Sequence, residues 1–460
     1  MKRWPPKYWN NSDMPEKLKI LAHDAFREEK EYALEILMTE LPGIEWEIRF
    51  SPDSKDYLME LPNGRSVHIR DDFFSQADDN YLKAELIPEK GTNIENPFDK
   101  SALAVLYGEP HFSPENGCYH CGIDLFASAY FMAVRWEEYV LPFRDEHGRF
   151  PAAHSLAFRS GWLDRPVVHE WSRFLRQIFE YLGYNPPLKQ TQFRLEISCD
   201  VDHPLLWWRS SDWLRTTGGA LLKRHDLKEA AFWLKYKMTS DKDPYDVFDE
   251  WLDVFEQYQL EAQFNFLSER APGSDCWYPV EHPFVVKKIR EISSRGHKIG
   301  LHTSYESFEH PELIIRERNA LERISGLPVT SSRAHYLRFG APFTWNFLHE
   351  AGIVADSSAG YPEAEGFRTG MCTTYPVFDF LNRKQLPLQE HPLIAMDVTL
   401  AMYRRYTPAE ALERLFNLKK EVLRYNGIFT LLWHNSSWNT HFWTPWKRVF
   451  TNFINESRQI

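Results

Sequence analysis

Aspartate, histidine and arginine residues stand at the ends of apolar runs throughout the chain from residue 193 onward. Asp200 and Asp202 close the first run, and His302 and His434 close two later ones. Similar residues end the runs between them: Arg333, His335, Asp356 and Asp397. Imidazole and carboxylate groups are the ligands that zinc and similar cations use in catalytic sites, where one position stays open for water. These residue types therefore fit a divalent-metal site.

Such a site needs a sheet whose strands all end at one edge. From residue 193 onward, short β-branched or aromatic runs alternate with amphipathic segments of helical length. The predicted strands cover residues 193–200, 261–268, 297–302, 328–337, 353–358, 393–400 and 428–434. Several helical segments, such as 283–296 and 407–427, begin at Pro or Thr and stop at Gly. Seven such units predict an α/β fold, a (β/α) barrel whose strand ends surround one mouth.

The residues before this pattern have a different order of predicted helices and strands. Their predicted elements are a charged helix at Lys17–Leu37, strand-like runs at 44–50 and 57–69, and helices at 124–140 and 166–183. Two prolines, Pro186 and Pro187, then interrupt the helical pattern. We therefore predict a smaller α+β domain of unknown role over residues 1–188, followed by the barrel over residues 189–460. We expect every residue of the site to come from Asp200 onward.

Five segments give the C-terminal part a specific resemblance. In chain order they are SCDVDHP (198–204), IGLHTSYES (299–307), SRAHYLRF (332–339), ADSSAGY (355–361) and LLWHNS (431–436). Together they resemble the five ordered motifs of the polysaccharide deacetylase family, also called the NodB-homology or carbohydrate esterase 4-like family. The resemblance implies a distorted (β/α)7 barrel and a divalent metal that serves to remove acyl groups from acetylated sugars. The N-terminal part resembles an uncharacterised domain that precedes this barrel in a bacterial subgroup.

The resemblance also implies roles for individual residues. Asp200 matches the catalytic base, and Arg333 matches the arginine that steers it. Asp202 and His302 match metal ligands, and His434 matches the histidine that donates a proton to the leaving group. A carboxylate must then hold the imidazole of His434 in one tautomer. Two residues are candidates for this carboxylate: Asp356 and Asp397.

The sequence departs from the family pattern at Glu306. The family has its second metal-binding histidine here, four residues after the one that His302 matches. Three alternatives follow: Glu306 binds the metal through its carboxylate, His335 supplies the missing nitrogen, or the metal is held weakly. We therefore predict a metal site of Asp202 and His302 completed by Glu306 or His335, with Zn²⁺ as the cation.

Aromatic residues make up 15% of the chain and include 17 tryptophans, which could provide flat faces for a sugar ring. We predict substrate contacts at Tyr336, at Trp438 and at Arg368, which we expect to be exposed in the loop GFRTG. Core packing explains any one tryptophan equally well, and a simple turn explains the loop.

Charge and composition exclude several kinds of partner. The chain has 54 Lys and Arg against 65 Asp and Glu, a net charge of −11, with no block of basic residues. This argues against nucleic acid and membranes as partners. The longest apolar run, Leu125–Val134, is too short to cross a bilayer, so we predict no integral membrane association. Five scattered cysteines and no apparent signal segment lead us to expect a cytoplasmic protein.

The sequence thus predicts a metal-dependent deacetylase that acts on carbohydrate amide bonds. Two alternatives remain: a carbohydrate-binding pseudoenzyme that has lost its metal, and a glycosidase that uses two carboxylates at strand ends. Inhibition by a chelator together with release of acetate without new reducing ends distinguishes the deacetylase from both.

Overall fold

The computed structural model describes residues 17–38, 41, 43–77, 80–185, 191–268 and 276–457. The chain divides into two compact units, the first with residues 1–81, 91–130 and 168–190 and the second with residues 82–90, 131–167 and 191–460. The predicted boundary between residues 188 and 189 lies outside the described residues. Residues 82–90 and 131–167, which precede the predicted boundary, belong to the second unit.

The described residues form strands and helices throughout both units. The strands are β1 (Leu18–Ala22), β2 (Trp46–Phe50), β3 (Tyr57–Glu60), β4 (Ser66–Ile69), β5 (Thr92–Glu95), β6 (Ala102–Val105), β7 (Gly108–Glu115), β8 (Cys118–Ile123), β9 (Arg194–Val201), β10 (Ala262–Phe266), β11 (Lys298–Thr303), β12 (Ser331–Ala334), β13 (Ala355–Asp356), β14 (Tyr375–Asp379), β15 (Lys384–Glu390), β16 (Ala395–Met396) and β17 (Ile428–Leu432). The α-helices are α1 (Arg27–Leu37), α2 (Leu125–Val134), α3 (Trp136–Val140), α4 (Leu156–Arg159), α5 (Val167–Tyr181), α6 (Asp212–Leu222), α7 (Leu227–Thr239), α8 (Phe248–Gln257), α9 (Pro283–Ser294), α10 (Glu312–Ser325), α11 (Phe343–Glu350), α12 (Pro408–Leu423) and α13 (Lys447–Ser457). Within the described part of the chain, no helix has both the length and the apolar character needed to cross a membrane.

The first unit contains a mixed sheet with the strand order β2-β1-β3-β4-β8-β7. The helix predicted over Lys17–Leu37 is wrong in its first part, because β1 occupies Leu18–Ala22 and α1 begins only at Arg27. β1 pairs in parallel with β2 and antiparallel with β3, and its Leu18 and Ile20 are fully buried. Pairing on both edges and burial of these side chains outweigh the weak helical preference of a short segment.

The second unit contains a sheet with the strand order β14-β15-β13-β12-β11-β10-β9-β17-β16. All neighbouring strands in it are parallel except the pair β14 and β15. Seven of the strands, β9 to β13 with β16 and β17, correspond to the seven predicted from the sequence. The sequence predicts a closed barrel, but among the described residues the hydrogen-bonded order of the strands is open. β15 pairs with β13 on the side away from β12.

Two hairpins in the second unit were not predicted. The strands β14 and β15 form one of them, and the helices α6 and α7 form the other, between β9 and α8. Both are insertions between elements of the repeating strand-helix pattern, and for this reason the alternation of strands and helices does not predict them.

The parallel register places polar residues side by side at the carboxyl ends of the strands. Asp200 in β9 is paired with Asn265 in β10, and His302 in β11 is paired with Arg333 in β12. Because parallel strands end at the same edge, residues that follow β9, β12 and β17 gather with them at one edge of the sheet.

Candidate metal centre

Asp202, His302 and His335 converge at the ends of nearby strands. Asp202 follows β9, His302 lies within β11, and His335 follows β12. Oδ1 of Asp202 lies 3.1 Å from Nε2 of His302 and 3.4 Å from Nε2 of His335. One ligand atom from each of the three residues lies within 4.8 Å of the other two. Two imidazole nitrogens and one carboxylate oxygen at this spacing suit a single divalent cation.

The carboxylate of Asp202 has the properties of a metal ligand. Its Oδ1 is buried and has no hydrogen-bond partner among the described residues, so the nearby imidazole nitrogens approach it without hydrogen-bond geometry. A buried acceptor without a donor costs free energy, which a cation at this point would offset. Burial raises the pKa of Asp202, but the imidazoles of His335, His302 and His434 outweigh burial and hold it well below its usual range. The side chain is therefore anionic.

His302 is oriented through the backbone of the neighbouring strand. Its Nδ1 lies 2.9 Å from the carbonyl oxygen of Arg333, so this nitrogen carries the proton and Nε2 faces Asp202. Burial lowers the pKa of His302, but the nearby carboxylates of Asp200 and Asp202 outweigh burial and raise it. The surroundings of Nε2 therefore favour positive charge.

The third member of the cluster is His335, and Glu306 does not belong to it. β12 is the neighbour of β11, so a residue that follows β12 lies beside His302, and the two imidazole rings are 4.8 Å apart. Glu306 instead begins a 3-10 turn, Glu306–Phe308, after the end of β11. Of the two residues proposed as the third ligand, Glu306 and His335, only His335 lies in the cluster with Asp202.

Asp200 lies beside the cluster and is held by a neighbouring strand. Its Oδ2 is 3.9 Å from Nε2 of His302, and its Oδ1 accepts a hydrogen bond of 2.7 Å from the side-chain amide of Asn265. Gln263 in turn donates to the amide oxygen of Asn265 at 2.8 Å. Asn265 is not among the site residues predicted from the sequence, although a polar residue in the apolar run of β10 is a signal that its side chain faces a site.

His434 also lies near Asp202 and is held by Asp397. Its Nδ1 lies 2.8 Å from Oδ1 of Asp397, its backbone N–H donates to Oδ2 at 2.9 Å, and its Nε2 is 3.8 Å from Oδ2 of Asp202. Burial lowers the pKa of His434, but the charge of Asp397 and its hydrogen bond outweigh burial and raise the pKa to about 10.

Two predicted site residues have other partners. Asp356 accepts hydrogen bonds from the hydroxyls of Ser332 and Ser358 at 2.7 and 3.0 Å, so the carboxylate that contacts His434 is not Asp356. The guanidinium of Arg333 is fully buried and donates to the hydroxyls of Ser357 and Ser198. Its contact with the cluster is made by its backbone carbonyl, which accepts from His302.

The three predicted substrate-binding residues differ in their surroundings. Tyr336 lines the cleft above the cluster and is 47% exposed. Arg368 is buried rather than exposed, because its guanidinium binds the carboxylate of Glu138 and the carbonyl of Gly360. Trp438 is also buried and packs against Trp251. The structure therefore places only Tyr336 where a substrate could reach it.

A cleft of about 280 Å³ lies over the cluster and includes Asp200 and His434 in its lining. Trp277 and Tyr403, which are 73% and 45% exposed, lie in its lining with Tyr336. Arg149 also lines it, and its guanidinium binds the carboxylate of Asp145 and the carbonyl of Tyr336. Arg149 precedes Asp200 in the chain and can lie in this lining because residues 131–167 belong to the second unit.

Comparison with known proteins gives a family-model match and matches to solved structures. A family model described as a family of unknown function, DUF7033, matches residues 18–183. No curated protein matches the chain in sequence.

Solved structures similar to this chain include a probable polysaccharide deacetylase from Pseudomonas aeruginosa. It is 11% identical, with a TM-score of 0.39, and the match covers 61% of this chain and 91% of that one. The chitin deacetylase of Colletotrichum lindemuthianum is 15% identical, with a TM-score of 0.32 and coverage of 60% and 86%. The Puue allantoinase is 11% identical, with a TM-score of 0.38 and coverage of 60% and 89%. At such identities the chemistry of the site has to be argued from its own residues.

Proposed function

We propose that the chain is a metal-dependent hydrolase that removes an acyl group, specifically an N-acetyl group, from a carbohydrate. The observation that carries the proposal is the cluster of Asp202, His302 and His335 with a carboxylate, Asp200, and an imidazole, His434, next to it. Hydrolysis of an amide needs a base for the attacking water and an acid for the leaving amine, and this arrangement offers both.

The three clustered residues would hold a divalent cation, with Zn²⁺ as the one their donor atoms favour. When bound, such a cation polarises the acyl oxygen and makes a water more acidic. The buried Oδ1 of Asp202, which lacks a hydrogen-bond partner among the described residues, supports this assignment.

Asp200 would accept the proton of the attacking water. Asn265 holds one oxygen of its carboxylate at 2.7 Å, which leaves the other oxygen directed toward the cluster. A carboxylate fixed in this way does not need to reorganise when it takes up the proton.

His434 would deliver a proton to the departing amine. Asp397 binds Nδ1 and thereby directs Nε2 toward the cluster, where the leaving group must be protonated. An amine leaves more readily as the neutral molecule, so the reaction depends on this acid more for amides than for esters.

A carbohydrate substrate is supported by the cleft and by the resemblance of the five motifs. Trp277, Tyr336 and Tyr403 are partly exposed in the cleft lining and offer flat faces to the apolar side of a sugar ring. Arg149 adds hydrogen-bond donors to the same lining.

The test combines metal analysis of the purified full chain with an assay on N-acetylated chitooligosaccharides. We expect about one equivalent of a divalent cation, release of acetate without new reducing ends, loss of activity with a chelator, and recovery with Zn²⁺. New reducing ends would identify a glycosidase instead. Sugar binding without metal and without acetate release would identify a pseudoenzyme, and either result would contradict the proposal.

A further inference from the structure

The helical hairpin of α6 and α7 exposes apolar side chains to solvent. On α7, Leu227, Ala231, Leu234 and Met238 follow a spacing of four, three and four residues, which places them in one stripe along the helix. All four are exposed, and Leu227 and Met238 are the most exposed at 71% and 79%. A stripe of this kind normally faces a protein core, so its exposure marks an interaction surface.

The stripe is not needed for the core of the hairpin. Another side of α7 is already packed, because Ala230 and Trp233 are buried in a cluster with Ala220 of α6. Leu206 and Trp207 pack against the same cluster. α6 adds further exposed apolar residues to the hairpin: Leu214, Leu221 and Leu222.

Basic residues flank the stripe on both sides. At 3.6 residues per turn, Lys228 and Lys235 lie on one side of it and Lys237 lies on the other, and all three are exposed. Residues 212–239 contain six Lys or Arg and three Asp or Glu, a net charge of +3, whereas the whole chain carries −11. The hairpin is therefore a basic and apolar surface on an acidic protein.

We propose that the hairpin surface, defined by Leu227, Leu234, Met238, Lys228 and Lys235, docks on an anionic lipid bilayer. An apolar stripe flanked by lysines suits the interface of a bilayer, where apolar side chains enter the boundary of the acyl chains and ammonium groups meet the lipid phosphates. A second copy of the chain is disfavoured as the occupant, because its hairpin would bring a second charge of +3 against the first.

The hairpin is connected to the cleft through aromatic contacts. Trp207 packs against Trp233 of α7 with ring centroids 5.9 Å apart, and the adjacent Trp208 is stacked on Tyr278 at 6.3 Å. Trp277, the neighbour of Tyr278, lines the cleft. Docking would therefore hold the cleft close to the bilayer surface.

A bilayer as partner differs from what the net charge and the missing basic block predict. The sequence has no continuous block of basic residues, but the lysines of α7 come together only when the chain is wound into a helix. Binding through this surface is peripheral and remains compatible with the absence of a membrane-crossing helix among the described residues. It also does not depend on the reaction proposed above.

Flotation of the full chain with lipid vesicles tests the proposal. Vesicles of phosphatidylcholine with phosphatidylglycerol should carry the protein upward, and vesicles of phosphatidylcholine alone should carry much less. Binding should fall as salt concentration rises, since the lysines act through screened charge. Lys228→Gln with Lys235→Gln should reduce partitioning by about tenfold or more, and Leu227→Gln with Met238→Gln should do so by about tenfold.

Matched variants elsewhere on the surface provide the control. Lys287→Gln with Lys420→Gln removes the same charge, and Ile315→Gln replaces an exposed apolar residue of α10. These variants should bind vesicles like the unmodified chain. Equal binding by all variants, or no binding to anionic vesicles, would overturn the proposal. So would a dimer in light scattering that Leu227→Gln with Met238→Gln abolishes while vesicle binding is absent.

Discussion

His434 and Asp397 are joined by two contacts that together fix one imidazole. Oδ1 of Asp397 lies 2.8 Å from Nδ1 of the ring, and Oδ2 accepts the backbone N–H of the same residue at 2.9 Å. Asp397 is completely buried and directly follows β16, while His434 follows β17, its neighbour in the sheet. The strand pairing therefore brings the imidazole of His434 and its orienting carboxylate together.

Replacing Asp397 by Asn should impair the acid without removing the metal. The negative charge raises the pKa of His434, so its loss should lower that pKa and move the alkaline limit of activity to lower pH. We expect kcat at neutral pH to fall by about 10² or more. A pH-rate profile measures the shift. Asp356→Asn is the matched control, because Asp356 does not contact His434 and should leave the alkaline limit unmoved.

Replacing each of the two candidate third ligands by alanine should affect metal binding unequally. His335→Ala removes an imidazole from the cluster and should weaken metal affinity by more than the 10- to 100-fold typical of losing an outer hydrogen-bond partner. Glu306→Ala should retain the metal, because Glu306 does not belong to the cluster. Competition with a calibrated chelator measures both affinities. Loss of metal from Glu306→Ala alone would assign the third ligand to Glu306.

Asp200 should act in turnover rather than in metal binding. Asp200→Asn keeps the shape of the side chain but cannot accept a proton, so we expect kcat to fall by about 10² to 10⁴. The metal content should stay near that of the unmodified chain, whereas Asp202→Asn should lose metal and activity together. Elemental analysis and acetate release, measured on the same preparations, distinguish the two carboxylates. A metal-free Asp200→Asn protein would contradict this division of roles.

The sequence predicts the strand ends of the second unit well because each combines two local signals. A β-branched or aromatic run followed by a polar residue is visible without knowledge of the fold, as at Asp200 and at His434. The structure contains a strand that overlaps each of the seven predicted segments. Even the short β13 and β16, with two residues each, were found in this way.

Contacts between residues distant in sequence were not predictable in the same way. The choice of His335 over Glu306 depends on β12 lying beside β11, and the choice of Asp397 over Asp356 depends on β16 lying beside β17. The burial of Arg368 and the place of Arg149 in the cleft lining are unpredictable for the same reason, since both depend on residues 131–167 packing within the second unit. A local pattern carries no information about such neighbours.

Glu138 of α3 shows how residues 131–167 stabilise the second unit. Its Oε1 accepts from Nε of Arg368 at 3.0 Å and from Nε of Arg135 at 2.9 Å, and all three side chains are buried. Burial raises the pKa of Glu138, but the two guanidinium groups outweigh burial and lower it. Residues 189–460 alone would leave Arg368 buried without this carboxylate, so we expect that shortened chain to be insoluble.

Glu138→Gln should lower the free energy of unfolding of the full chain by about 3 to 5 kcal/mol, because it leaves buried guanidinium charge without its partner. Glu309→Gln is the control: Glu309 pairs with Arg338 but is 69% exposed, so its loss should cost less than about 1 kcal/mol. Denaturant unfolding at pH 7 measures both. Because the pKa of Glu138 is lowered by folding, its contribution is present above the unfolded pKa and is lost as the pH falls through the folded one. The difference in unfolding free energy between Glu138→Gln and the unmodified chain should therefore shrink below about pH 4. If Glu138→Gln and Glu309→Gln are equally stable at pH 7, the buried ion pair does not stabilise the unit.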